Sequence, residues 1–247
     1  MADYYGKRVV ITGGTSGIGL ATAKRLVDGG ARVLVTGRGE EFLAKAQAEL
    51  GDRGVALRSD TSVLADVDEL AARAREEFTE VDLLFVNAGI TVPAPLGDVT
   101  EGEFERVFEI NTKGPYFTVQ RFAPLLAEGG SVVLTTSVVN RKGIAGRSVY
   151  AASKAALRSM SRTLAREMIP HGVRVNAVMP GPIDTGILDR TVGGEKAEQM
   201  KAQMKATNPM GRFGDPAEVV SAVLYLAFDA TYTTGAELPV DGGASQL

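Results

Sequence analysis

The chain has 247 residues, 45 % of them hydrophobic and 23 % charged, with a formal charge of −3. That balance suits a globule with a sizeable core and leaves no basic field for nucleic acid or an acidic membrane surface. It holds no cysteine and a single histidine, His171, which excludes a disulfide framework, a thiolate nucleophile and a cysteine-based metal site.

Met1–Gly6 is polar and carries no secretory leader pattern, and no run reaches the roughly eighteen apolar residues of a membrane span. A cytoplasmic protein is expected. From Arg8 onward, short apolar runs alternate with longer helical patterns. Strands are expected at Arg8–Thr12, Arg32–Thr36, Gly54–Arg58, Val81–Val86, Ser131–Thr136, Val173–Val178 and Ala236–Val240. Several are continuous apolar runs, as in parallel strands covered on both faces. Helices are expected at Ile18–Val27, Glu40–Leu50, Leu64–Phe78, Glu103–Leu126 and Tyr150–Met168. No linker or repeat interrupts the alternation. It therefore predicts one α/β domain over residues 1–247, a doubly wound seven-stranded parallel sheet with helices on both faces.

The first strand runs into Thr12-Gly13-Gly14-Thr15-Ser16-Gly17-Ile18-Gly19 and then a helix. Glycines between a strand and a helix let the backbone approach a pyrophosphate held at the helix N-terminus. This is the Rossmann setting for a dinucleotide. The second strand ends in Gly37-Arg38-Gly39, with no carboxylate until Glu40. An acid at this point holds the ribose 2′-hydroxyl of NAD, whereas Arg38 offers a forked grip on a 2′-phosphate. NADP(H) is the expected cofactor.

Further along, Ser137 stands at the tip of an apolar strand, where open α/β sheets build their sites. Tyr150 and Lys154 lie four apart on a helical pattern and so share a face. A positive charge near a phenol favours the phenolate and makes it a useful acid or base. Between Gly186 and Gly211 a helical stretch with Met200 and Met204, followed by Met210, reads as an adaptable lid over apolar ligands or as ordinary packing. Val138, Val139, Ile144, Ile187 and Leu188 are candidate apolar walls. Arg141 and Lys142 read as a solvated loop.

Taken in order, these motifs resemble the short-chain dehydrogenases/reductases over essentially the whole length. The Thr12–Gly19 loop, Asn87-Ala88-Gly89, Tyr150-x-x-x-Lys154 and Val240-Asp241-Gly242-Gly243 all match the family's pattern. The resemblance implies a catalytic set of Asn111, Ser137, Tyr150 and Lys154. It implies cofactor contacts from Gly13, Thr15, Ser16, Gly17, Ile18, Gly19, Gly37 and Arg38, and from Asp60 and Thr61 after the third strand. Asn87, Ala88, Gly89, Pro180, Gly181, Ile183 and Thr185 complete the implied set, with Tyr150 and Lys154 also touching the cofactor. No metal is implied. Tyr150 would exchange a proton with the substrate oxygen, Ser137 would orient it, Lys154 would tune the phenol and bind ribose, and Asn111 would hold a relay water. Within the family a basic residue often stands at Ser16; its absence here leaves Arg38 to recognise the 2′-phosphate.

The narrower resemblance is to bacterial NADPH-dependent dehydrogenases of bulky secondary alcohols and ketones, through Ile11–Lys24, Phe117–Gln120 and Glu237–Gly243. A 3-oxoacyl-carrier-protein reductase is the alternative, although the basic docking residues usual before the fifth strand are replaced by Leu126-Ala127-Glu128-Gly129-Gly130. A non-catalytic cofactor-sensing protein on the same fold is the reading from another class. The resemblance also implies a homotetramer packed through the helices at 103–126 and 150–168, and a small-molecule carbonyl or alcohol as the partner.

Overall fold

Alternate residues of each apolar run point to opposite faces of the sheet, and the computed structural model, which describes residues 3–247, divides them into two cores. On one face Val9, Ile11, Val33, Val35, Leu83 and Phe85 pack with Ala23, Leu26, Val219 and Val223. On the other, Val10, Leu34, Leu84, Val132 and Leu134 meet Leu70, Val119, Phe122, Leu157 and Leu164. Burying each large aliphatic or aromatic side chain contributes about 1.5–3 kcal/mol. With both faces covered, the inner strands are almost wholly buried, and the edge strands Gly54–Arg58 and Glu237–Val240 only partly so.

In chain order the elements are β1 (Arg8–Thr12), α1 (Gly17–Asp28), β2 (Arg32–Gly37), α2 (Glu40–Leu50), β3 (Gly54–Arg58), α3 (Leu64–Glu77) and β4 (Val81–Val86). There follow α4 (Glu101–Phe108), α5 (Gly114–Phe122), β5 (Leu126–Thr135), α6 (Ser148–Met168), β6 (Arg174–Pro180), α7 (Ile187–Thr191), α8 (Gly194–Ala206), α9 (Pro216–Leu224) and β7 (Glu237–Val240). The sheet order is β3-β2-β1-β4-β5-β6-β7, and every pairing is parallel. The order reverses between β1 and β4, so their C-terminal ends flank a crevice, the usual ligand position in such a sheet.

Two local outcomes differ from the sequence reading. The single helix expected at 103–126 is broken: α4 and α5 are joined by a π-turn, Glu109–Lys113, where Gly114 N–H reaches back to Glu109 O. Pro115 has no N–H to offer the carbonyl of Asn111, so a regular helical ladder cannot run through that point. Gly114 also passes against Thr61, where a Cβ would come within 2.3 Å of its carbonyl oxygen. The second outcome is α9, a helix the periodicity did not bring out. It opens on a capping box, with Asp215 bonded to Ala217 N–H, Pro216 in the first turn and Glu218 bonded back to Asp215 N–H. That is a helix start written in side-chain chemistry.

Among the described residues, no helix is long and apolar enough to cross a membrane.

Candidate active site

The floor of the crevice is held by one hydroxyl and one amide. Thr12 Oγ1, buried at the end of β1, accepts from Asn87 N–H at 3.0 Å and Ala88 N–H at 3.1 Å. The Asn87 amide donates to Gly13 O at 3.0 Å and accepts from Thr135 Oγ1 at 3.2 Å. The ends of β1, β4 and β5 are thereby tied together. Gly13 adopts φ +64°, and a Cβ there would lie 2.9 Å from Ala88 Cα; a Cβ at Gly19 would lie 2.2 Å from Gly13 O. These glycines are required by contact as much as by conformation. Ser16 precedes α1 with extended backbone and no side-chain cap, and no acid occupies the first turn. The helix start is therefore electropositive and suited to an anion.

Above this floor lies a cleft of about 500 Å³. It is lined by Gly13, Thr15, Ser16, Gly17 and Ile18 from the loop, Gly37 and Arg38 at the end of β2, Asp60 and Thr61 beyond β3, Asn87-Ala88-Gly89 beyond β4, and Thr185. Most of the expected cofactor residues are thus brought together. Gly19 supports the floor from behind. Arg38 Nη1 stands 3.4 Å from Asp60 Oδ2 at the mouth. Burial works to raise the Asp60 pKa, but bonds from Ser62 N–H and Oγ and the charge of Arg38 outweigh it and hold the carboxyl below its usual range.

The catalytic candidates gather around the C-terminal end of β5; none of them lines the cleft itself, but Gly89, which does, lies beside Asn111 and Lys154. Ser137 follows the strand, and its Oγ accepts weakly from Val139 N–H at 3.5 Å. Tyr150 and Lys154 project from α6. Burial pushes the Tyr150 phenol up, while the neighbouring Ser137 hydroxyl and the charge of Arg147 pull it down. Lys154 is 3 % exposed; burial lowers its pKa to about 8. Its Nζ donates to Thr135 O at 2.8 Å and lies 5.9 Å from the Tyr150 ring centroid. The net shift of the phenol is upward, because burial outweighs the contributions of Ser137 and Arg147.

Asn111 is fully buried in the π-turn. Its Oδ1 accepts from Ile90 N–H at 2.8 Å, and its Nδ2 donates to Ile90 O at 2.9 Å and Ser153 Oγ at 3.0 Å. Gly89 leaves room beside it: a Cβ there would stand 3.2 Å from both Asn111 Oδ1 and Lys154 Nζ.

Six expected contacts are not part of the cleft lining: Gly19 underlies the floor, Tyr150 and Lys154 stand on α6, Pro180 ends β6, Gly181 packs on Asp241, and Ile183 faces a second cavity of about 280 Å³. Conversely, the cleft takes in Phe42, Ser59, Ile90, Ile187 and Arg190, which the sequence reading did not assign to the cofactor. Ile90 directly follows the Asn-Ala-Gly motif, and Phe42 lies four residues beyond Arg38, in the first turn of α2, so adjacency was the available signal. Arg190 had none. Arg141 is exposed, as read, and also bonds Glu237 at 2.9 Å.

A hydroxyl pair beside a nucleotide-sized, glycine-floored cleft can pass a proton to an oxygen held next to a bound dinucleotide. Comparison with known proteins points the same way. A family model described as enoyl-(acyl carrier protein) reductase matches residues 13–245. An oxidoreductase, asL5, of Sarocladium schorii is 40 % identical over 98 % of this chain and 97 % of its own. The cis-4-hydroxycyclohexanecarboxylate dehydrogenase of Sinomonas cyclohexanicum is 37 % identical over 98 % of each chain. A solved structure described as a short chain dehydrogenase/reductase family protein superposes with a TM-score of 0.89 at 38 % identity, covering 99 % of this chain and 100 % of that one.

Proposed function

The chain belongs to the short-chain dehydrogenase/reductase family, and on that premise we propose that it moves a hydride between NADP(H) and a hydrophobic ketone or secondary alcohol. The observation that carries this reading is the Ser137–Tyr150 hydroxyl pair at the end of β5, with Lys154 one helical turn away and the cleft alongside.

The residues present fit a dinucleotide. The bare backbone at Gly13 and Gly19 and the uncapped start of α1 suit a pyrophosphate. Arg38, Asp60 and Asn87–Gly89 would hold the adenosine half, and Thr185 the nicotinamide side. When bound, the cofactor supplies the hydride chemistry. Tyr150 then gives or takes the proton at the substrate oxygen, and Ser137 donates a hydrogen bond to that oxygen and orients it. Lys154, with a pKa of about 8, exchanges protons near neutral pH and reaches the ribose hydroxyls. The Asn111 amide is committed to Ile90 and Ser153, so a relay water there would be held through its main chain.

The choice of NADP(H) rests on β2 ending at Gly37 and being followed by Arg38-Gly39 with no carboxylate, and on Arg38 keeping N–H groups beyond the one that faces Asp60. An apolar substrate is favoured by Ile187 at the cleft and Ile144 in the loop before Tyr150, both exposed. A relative named as a cis-4-hydroxycyclohexanecarboxylate dehydrogenase supports an alcohol as the substrate. Parallel fluorescence titrations with NADPH and NADH test the reading, and the chain's lack of Trp keeps the nicotinamide signal clean. Tighter NADPH binding that falls by about tenfold or more in Arg38→Ala, the scale of a charge-assisted contact, is expected. Equal or tighter NADH binding would sink the NADP assignment.

A further inference from the structure

Glu237 is a carboxylate with almost no access to water: its side chain is 1 % exposed. Thr136 Oγ1 donates to it at 2.7 Å, Asn140 Nδ2 at 2.8 Å and Arg141 Nη2 at 2.9 Å, and Arg158 Nε stands 3.4 Å away. Thr136 lies before Ser137, and Asn140 and Arg141 lie after it. Arg158 sits on α6, one turn past Lys154 and two past Tyr150, and is anchored to Gly235 O at 3.1 Å. One side chain on β7 thus touches both flanks of the serine loop and the helix that carries the phenol.

The arrangement is a costly way to gain stability alone, because apolar residues of the same volume often do as well as a buried ion pair. Asn140 adds to the cost. Its Oδ1 is buried without a hydrogen-bond partner, and it accepts that penalty while its amide N–H points at Glu237. What the network supplies is a fixed geometry.

We propose that Glu237 is a positioning residue that sets the Ser137–Tyr150 contact by clamping the Ser137 loop and α6 to the end of β7. The proposal rests on Ser137 and Tyr150 being the proton-handling pair described above. Removing the clamp lets the Ser137 hydroxyl drift from the phenol, and a phenolate that loses a donor is harder to form. The groups that face Tyr150 are Ser137 from the loop and Arg147 and Lys154 from α6. Simple electrostatics gives the opposite sign, since deleting a negative charge and freeing two arginines would make the phenolate easier to form. The direction of the shift therefore separates positioning from charge.

The test is the titration of Tyr150 in the whole chain, followed by tyrosinate ultraviolet absorbance, with Tyr150→Phe as the reference that removes the other five of the six tyrosines. Glu237→Gln should raise the midpoint by on the order of one pH unit, the scale of a lost hydrogen bond to an ionised group. Ser137→Ala should raise it as much, and the double variant no further, because both act through one contact. If Glu237→Gln does not fold, Asn140→Ala, which cuts one link to the clamp and removes an unpaired acceptor, is read in the same way. A midpoint at or below the wild-type value, or a shift that adds to that of Ser137→Ala, overturns the proposal. If Ser137→Ala itself leaves the midpoint in place, the Ser137–Tyr150 contact falls and the proposal with it. Loss of turnover in Tyr150→Phe judges the reductase reading separately.

Discussion

Lys154 Nζ donates to the main-chain oxygen of Thr135 at 2.8 Å, so the amine on α6 is fastened to the strand end two residues before Ser137. That bond holds the amine in a place where its charge is costly. Burial lowers its pKa from 10.5 to about 8. Below about pH 8 the folded chain carries the buried charge. Between pH 8 and 10.5 the folded amine is neutral while the unfolded one is charged, so this group's contribution to stability rises with pH across that window. Lys154→Met should therefore be more stable than the wild type near pH 7 and lose turnover, and its advantage should shrink near pH 10. Urea midpoints at the two pH values check it; an advantage that grows with pH would contradict the assignment.

Tyr150→Phe removes one hydroxyl and leaves the cleft lining untouched. Turnover of a cyclic secondary alcohol should fall by about 10²–10⁴-fold, the range for loss of a positioned acid or base. NADPH affinity should stay near the wild-type value. A variant that keeps its turnover would move the proton chemistry elsewhere, and one that also loses the cofactor would make Tyr150 a binding residue.

Two glycine substitutions should act in opposite directions. Gly19→Ala places a methyl 2.2 Å from Gly13 O and 2.8 Å from Asn87 Nδ2, where neither backbone nor amide can retreat without breaking the tie between strands. It should cost about 3 kcal/mol or more and weaken cofactor binding. Gly102 is exposed in α4 with nothing within 4 Å of a Cβ, and Gly102→Ala should gain about 0.5–1 kcal/mol through helix propensity. Denaturant midpoints of the pair give the comparison directly.

Phe104 and Tyr116, on α4 and α5, are 45 % and 40 % exposed, and Phe104 stacks on Phe108 with ring centroids 4.8 Å apart. Aromatic groups left in water suit burial against further copies. Sizing chromatography should show a tetramer, and Phe104→Glu should shift it toward smaller species without loss of secondary structure. A wild-type chain that elutes as a monomer refutes the assembly.

The strands at Arg8–Thr12 and Val81–Val86 were legible because each is a short, almost fully buried apolar run, and burial on both faces leaves that mark directly. The start of β5 was not. Val81 pairs with Leu126 and Leu83 with Ser131, so residues 127–130 bulge opposite Asp82, and the stretch Glu128-Gly129-Gly130 has no strand-like pattern. The glycine loop was readable because close backbone contacts demand one residue type, and the cleft contains it as expected. Glu237 was read only as part of a tail motif. Its importance comes from partners about a hundred residues away in sequence, and such separations leave no local periodicity. The same holds for Arg190, whose place at the cleft depends on how α7 folds back.

The tie of Thr12, Asn87 and Thr135 contrasts with how sparsely α8 is attached. In α8 only Ala197 is buried, whereas the floor residues are locked by bonds across three strands. A change in the floor threatens the fold and the chemistry together, while most changes along α8 alter little that stability depends on. On the reading of 186–211 as the substrate lid, substitutions along it would change which substrates are accepted and leave the proposed reaction centre unaltered.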